Sequence, residues 1–161
     1  MNLSKWNNFI VEQDETTITD PPQIKNAEMQ DTIEIPYGQM SSVVILNQMG
    51  YEAGQELGKG KYGTVIKVTD QETRNQFAAK IVMGSPLPDI ERETRNYKFL
   101  IDNRDKLGVR KKYFPKVYYS EIKNYRSEPN ENSANPPIFP MGIIIMELLA
   151  PLPKRVKTDL L

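Results

Sequence analysis

Apolar positions fall into two regimes along this chain. From residue 51 onward they gather in short, regularly spaced runs, whereas the first forty residues scatter them through polar sequence carrying Pro21, Pro22 and Pro36. The later runs are rich in β-branched and aromatic residues, and they predict strands over 51–58, 64–69 and 76–83, with a polar turn at 70–75. Gly84-Ser85-Pro86-Leu87-Pro88-Asp89 then breaks the strand pattern and supplies first-turn residues for a helix over 89–102. Ile90, Tyr97, Leu100 and Ile101 recur at helical spacing and mark its buried face. Two further strands are predicted over 114–122 and 142–149. Between them, residues 124–140 are rich in Asn, Ser, Glu and Pro and read as a surface loop inserted into a hairpin. The β-branched run Val43-Val44-Ile45 predicts another strand over 42–46. Residues 1–40 read as a mostly irregular extension with short anchored pieces around 6–11 and 33–35. No internal repeat is visible.

Length and composition narrow the classes. The chain has 161 residues, which suits one domain with a flank; 39% are hydrophobic and 26% charged, enough for a packed core under a solvated surface. Lys plus Arg and Asp plus Glu number 21 each, so no global field favours nucleic acid or an anionic membrane, and neither is expected as a partner. Arg110-Lys111-Lys112 and Lys154-Arg155-Val156-Lys157 read as solvated surface. The chain has no cysteine, which excludes disulfides, thiolate metal sites and a cysteine nucleophile, and fits a reducing, cytoplasmic setting. It has no histidine either, which removes the commonest general base and the usual zinc ligand. The longest apolar runs are far too short to span a bilayer, and the N-terminus lacks the apolar stretch of a signal peptide.

The candidate chemistry lies at residues 57–80. Gly58, Gly60 and Gly63 form G-x-G-x-x-G in Leu57-Gly58-Lys59-Gly60-Lys61-Tyr62-Gly63-Thr64-Val65. Such glycines let backbone approach phosphate in several folds. A dinucleotide site needs a helix directly after them, but the β-branched run that follows favours a strand. No glycine is followed by Lys-Ser or Lys-Thr, so a Walker A loop is absent from the chain. What is left is a glycine hairpin that covers phosphates, and, on the glycines alone, an ordinary glycine-rich β-turn is an equal reading. Lys80 shifts the balance. It closes the apolar run Phe77-Ala78-Ala79, where an ammonium needs a partner or a route to solvent. Glu93 is the matching anomaly, since it falls on the apolar Ile90–Tyr97–Leu100 face of its helix. Glu91 is the alternative partner but lies off that stripe.

Residues 51 to about 149 resemble the N-terminal lobe of a eukaryotic-type protein kinase. The glycine loop matches Leu57–Val65, the lysine of the family's V-A-I-K motif matches Lys80, and the helix C glutamate best matches Glu93. The resemblance implies an α+β fold, a five-stranded antiparallel sheet with one helix, over residues 51–152, behind an extension at 1–50 and ahead of a linker at 153–161. It implies ATP as the ligand. Val65 and Ala78 would roof the adenine ring with Leu57 at its edge, Met146 would be the gatekeeper, and the backbone of Glu147 and Leu149 would bond adenine. Gly58 to Thr64, with Lys59, Lys61 and Tyr62 between the glycines, would form the phosphate flap.

The family's second half has no counterpart here. The chain holds no H-R-D-L-x-x-x-N, Asp-Phe-Gly or Ala-Pro-Glu; the nearest string, Asn103-Arg104-Asp105, lies before the fourth expected strand and reads as the solvated end of the helix. No catalytic residue and no metal ligand is therefore expected, and Mg²⁺ would join ATP only if a larger lobe supplied its ligands. The leading expectation is the ATP-binding lobe of a protein kinase, of serine/threonine type on frequency alone, truncated or split and inactive by itself. Its partner would be a polypeptide bearing the larger lobe, or another kinase. The alternative is a non-catalytic kinase-like module that regulates a partner protein; a third is an unrelated small α+β binding domain.

Overall fold

The structure, a computed structural model, describes residues 21–22, 32–39 and 41–149. Six strands, β1 (Thr32–Ile35), β2 (Tyr51–Gly60), β3 (Gly63–Asp70), β4 (Gln76–Val82), β5 (Val117–Ser127) and β6 (Phe139–Glu147), form one sheet in the order β1-β5-β6-β4-β3-β2. Helix α1 (Ser41–Gln48) precedes β2, helix α2 (Leu87–Asp102) follows β4, and a 3₁₀ segment (Asp105–Tyr113), kinked at Gly108, leads into β5.

The central strands β4 and β6 are buried on both faces, which is why their sequences read as continuous apolar runs. Phe77, Ala79, Ile81, Met141, Ile143 and Ile145 enter one core cluster, on what we call the outer face. Ala78, Val82, Ile144 and Met146 alternate to the inner face and pack with Ile90, Tyr97 and Leu100 of α2. Helix α2 is seated closely. A Cβ on Gly142 would lie 3.0 Å from Thr94 Cγ2, and the buried Ser120 hydroxyl donates to the Thr94 carbonyl at 2.8 Å.

Three expectations are corrected. The sheet has six strands and is mixed, because β1 joins β5 in parallel, from Thr32↔Asn124 to Ile35↔Ser127. A four-residue strand is too short for alternation to declare itself in sequence; here Ile33 and Ile35 are buried in the outer core, and Arg126 pairs with Glu34 across the junction. The same pairing carries β5 on through residues 124–127, whose polarity suggested loop.

Residues 42–46 are helical, not extended. Ile45, Leu46 and Met49 are buried together at helical spacing, and burying that stripe on the sheet outweighs the modest β-preference of Val43-Val44-Ile45, worth at most about 1 kcal/mol per residue. Gly50, at φ 89°, ends the helix in a conformation that costs glycine nothing. The piece expected around 33–35 is therefore β1, and that expected around 6–11 lies outside the described residues.

Candidate functional site

The strand register builds a row across the inner face. Gly58 pairs with Val65, Val65 with Lys80, Lys80 with Ile144, and Ile144 with Ser120. Directly paired residues point to the same side of a sheet, so one line crosses it from the glycine turn to the seat of α2. Helix α2 packs on β5 and β6, at the far end of that line from Gly58.

Lys80 sits where this row meets α2. Its Nζ donates to Glu93 Oε1, and the two side chains are only 15% and 16% exposed. Glu91 is exposed, so Glu93 is the partner. The Lys80 ammonium also lies over the Tyr97 ring, 5.4 Å from its centroid. Glu93 and Tyr97 are four apart on α2 and lie one above the other. A mostly buried ion pair contributes little net stability, because desolvation offsets most of the attraction. What it does supply is position: an ammonium held on the inner face.

The glycines divide by role. Strands β2 and β3 are joined by the two-residue loop Lys61-Tyr62, with Gly60 paired to Gly63 and the Lys61 Nζ 5.2 Å from the Tyr62 ring centroid. Gly63 has φ 143°, and a Cβ there would meet the Ile81 carbonyl oxygen at 2.3 Å, so the fold itself requires this glycine. At Gly58 a Cβ would meet nothing within 4 Å. The fold does not require that glycine, and it stands on the same face as Val65 and Lys80. Lys59 pairs with Thr64, which pairs with Ile81, so Lys59 and Thr64 belong to the outer side of the flap.

The remaining expected residues cluster at the other end of β4 and β6. Ala78 pairs with Met146, and both are buried on the inner face. Leu57, Val65 and Leu148 pack partly buried against the same cluster. Glu147 donates its backbone N–H to the Lys116 carbonyl at 2.9 Å, so that N–H is already engaged within the fold. Leu149 lies half-buried just past β6. Together Leu57, Val65, Ala78, Met146 and Leu148 form an apolar cluster on the inner face, with Lys80 two residues along β4 from Ala78.

Three contributors were not anticipated. Tyr97 was legible as a core position but not as a neighbour of Lys80; its spacing four residues from Glu93 was the available signal. Ser120 and Thr94, which seat α2, carry no motif. Asn103 caps α2, its backbone N–H and side-chain Nδ2 reaching the Phe99 carbonyl at 3.0 and 2.9 Å, and Arg104 donates to the Phe114 carbonyl at 3.0 Å. Among the described residues no acidic cluster could hold a metal ion, and no helix is long and apolar enough to cross a membrane.

No family model and no curated protein matches the chain. Among solved structures it is similar to the twitchin kinase region from C. elegans, with 22% identity and a TM-score of 0.37. That match covers 89% of this chain and 19% of the other, so the chain spans under a fifth of that structure's length. So loose a likeness carries no weight for the site, whose reading rests on its own geometry.

Proposed function

We propose that the chain binds ATP as the small lobe of a protein kinase does. The observation that carries this reading is Lys80, held by Glu93 on the same inner-face row as a glycine that the fold does not require. In this reading the Lys80 ammonium meets the α- and β-phosphates, the backbone around Gly58 covers them, and the missing Cβ leaves room for their approach. Leu57, Val65, Ala78 and Met146 hold the adenine ring, and backbone at Glu147 and Leu149 fixes its edge. Glu93 keeps Lys80 from collapsing onto these apolar side chains.

Phosphoryl transfer needs more. It needs a base for the substrate hydroxyl and carboxylates for Mg²⁺, and the sequence carries no motif for either. Under this proposal they come from a partner polypeptide bearing the larger lobe, or from another kinase that the module serves. Titration calorimetry of the purified chain with ATP tests the reading. Lys80→Met should abolish measurable affinity, while an affinity unchanged by that substitution would sink the proposal.

A further inference from the structure

We infer that Tyr97 is a positioning residue for Lys80, acting through the face of its ring; the functional meaning of this rests on the nucleotide reading above. The other close lysine–tyrosine pairs, Lys61–Tyr62, Lys112–Tyr113 and Lys116–Tyr118, join near neighbours in sequence. Lys80 and Tyr97 come from different elements, and their approach is made by tertiary packing. The ring is 3% exposed, packed with Ile90 and Leu100 in the inner cluster, so it cannot easily swing away. Ring faces carry negative electrostatic potential and attract an ammonium more strongly where water is thinned out. Lys80, 15% exposed, is in such a place.

The consequence is a division of labour on one turn of α2. The Glu93 carboxylate neutralises the charge of Lys80 but competes with an incoming phosphate for its N–H donors. The Tyr97 ring takes up no strong donor. It holds the ammonium over the helix while leaving those donors free to turn toward phosphate. Lys80 can thus loosen from Glu93 on meeting an anion without losing its place.

Three variants separate the ring from its hydroxyl and its volume. Tyr97→Phe keeps the face, Tyr97→Leu removes it, and trifluorophenylalanine at position 97 keeps the volume while cancelling the negative potential. The first readout needs no nucleotide: ring current should shift the Lys80 ε-methylene resonance upfield, with the signal assigned by Lys80→Arg. The shift should persist in Tyr97→Phe and vanish in Tyr97→Leu. A Lys80 resonance unmoved by Tyr97→Leu would overturn the inference. The second readout is ATP affinity, expected to be equal to that of the parent in Tyr97→Phe and roughly three- to tenfold weaker in the trifluorinated protein. If the leucine variant does not fold, the fluorinated one decides, because its shape is nearly that of phenylalanine; affinity equal to Tyr97→Phe would overturn the proposal. A chain that shows the ring-current shift but binds no ATP would refute the proposed function and leave the placement of Lys80 by Tyr97 standing.

Discussion

The two faces of the sheet are made from the same strands yet have been put to different uses. The outer face is sealed by the chain itself: Ile45 and Leu46 of α1, with Met49 just beyond it, share one buried cluster with the strand residues Ile33, Ile35, Ile66, Val68, Phe77, Ile81 and Ile143. The inner face is covered by α2 over β5 and β6, and there the apolar pattern is broken by Lys80, Thr94 and Ser120, each with a partner. A face that buries only hydrocarbon gains most by being closed. The inner face carries a held cation among its hydrocarbon, and it is the face on which the proposed nucleotide would bind.

The sharpest test of this contrast is to unseal the outer face. Leu46→Ala should cost about 2–5 kcal/mol, because a fully buried side chain is lost from a packed contact. Val43→Ala, on the exposed side of α1, should change stability by less than about 0.5 kcal/mol. Urea denaturation measures both. Equal effects would mean that α1 does not close the core.

On the inner face, stability and binding should come apart. Lys80→Met leaves Glu93 mostly buried without its cation and should cost about 1–3 kcal/mol. Adding Glu93→Leu should return stability to within about 1 kcal/mol of the parent, since well-packed apolar pairs often replace ion pairs without loss. ATP affinity should remain absent in the double variant. Recovery of affinity together with stability would show that the pair is architectural.

The two glycines repeat the contrast on a single hairpin. Gly63→Ala drives a methyl into the Ile81 carbonyl at a backbone angle that L-residues avoid, and should cost about 2–4 kcal/mol. Gly58→Ala meets open space, so thermal stability should stay within about 0.5 kcal/mol while ATP affinity falls about tenfold or more. If both variants melt alike, Gly58 is structural after all.

The smallest effect concerns an imperfection in the outer face. Tyr51 is fully buried, its ring edge-on to Phe77, and its hydroxyl has no hydrogen-bond partner among the described residues. Tyr51→Phe should therefore be neutral or stabilising by up to about 1 kcal/mol. Burial, helped by the charge of Asp70 and by Tyr119, pushes the Tyr51 hydroxyl well above the usual 10.0. Burial, then the charge and hydrogen bond of Glu121, does the same to Tyr119. For both groups the folded state holds its proton more tightly than the unfolded chain. Their contribution to stability is complete below pH 10.0 and is lost as pH rises beyond it. Tyr51→Phe should flatten that alkaline decline in a pH series of urea midpoints; an unchanged slope would assign it elsewhere.

Much of the inner face was legible along the chain. Lys80 declared itself by ending an apolar run, and Glu93 by standing on the apolar stripe of its own helix. Both are local anomalies, and placing them required only the periods of strand and helix. The outer cover was not legible. Val43-Val44-Ile45 has the composition of a strand, and Thr32–Ile35 is too short to show alternation; each takes its form from what it packs against. The same holds for the polar end of β5, ordered by β1 on one side and β6 on the other.

By itself the sequence determined the strand–glycine–strand–lysine order, the amphipathic α2, and the demand that Lys80 find a partner or a route to solvent. These follow from backbone period, glycine stereochemistry and the cost of an unpaired charge, all of which act within a few residues. Only the tertiary structure decided that α1 is a helix, that a parallel sixth strand joins the sheet, that Gly63 serves the fold while Gly58 is free of it, and that Tyr97 lies against Lys80. Each of these depends on contacts between segments far apart in the chain. There the burial of whole side chains, about 1.5–3 kcal/mol apiece, outweighs local preferences of about 1 kcal/mol or less.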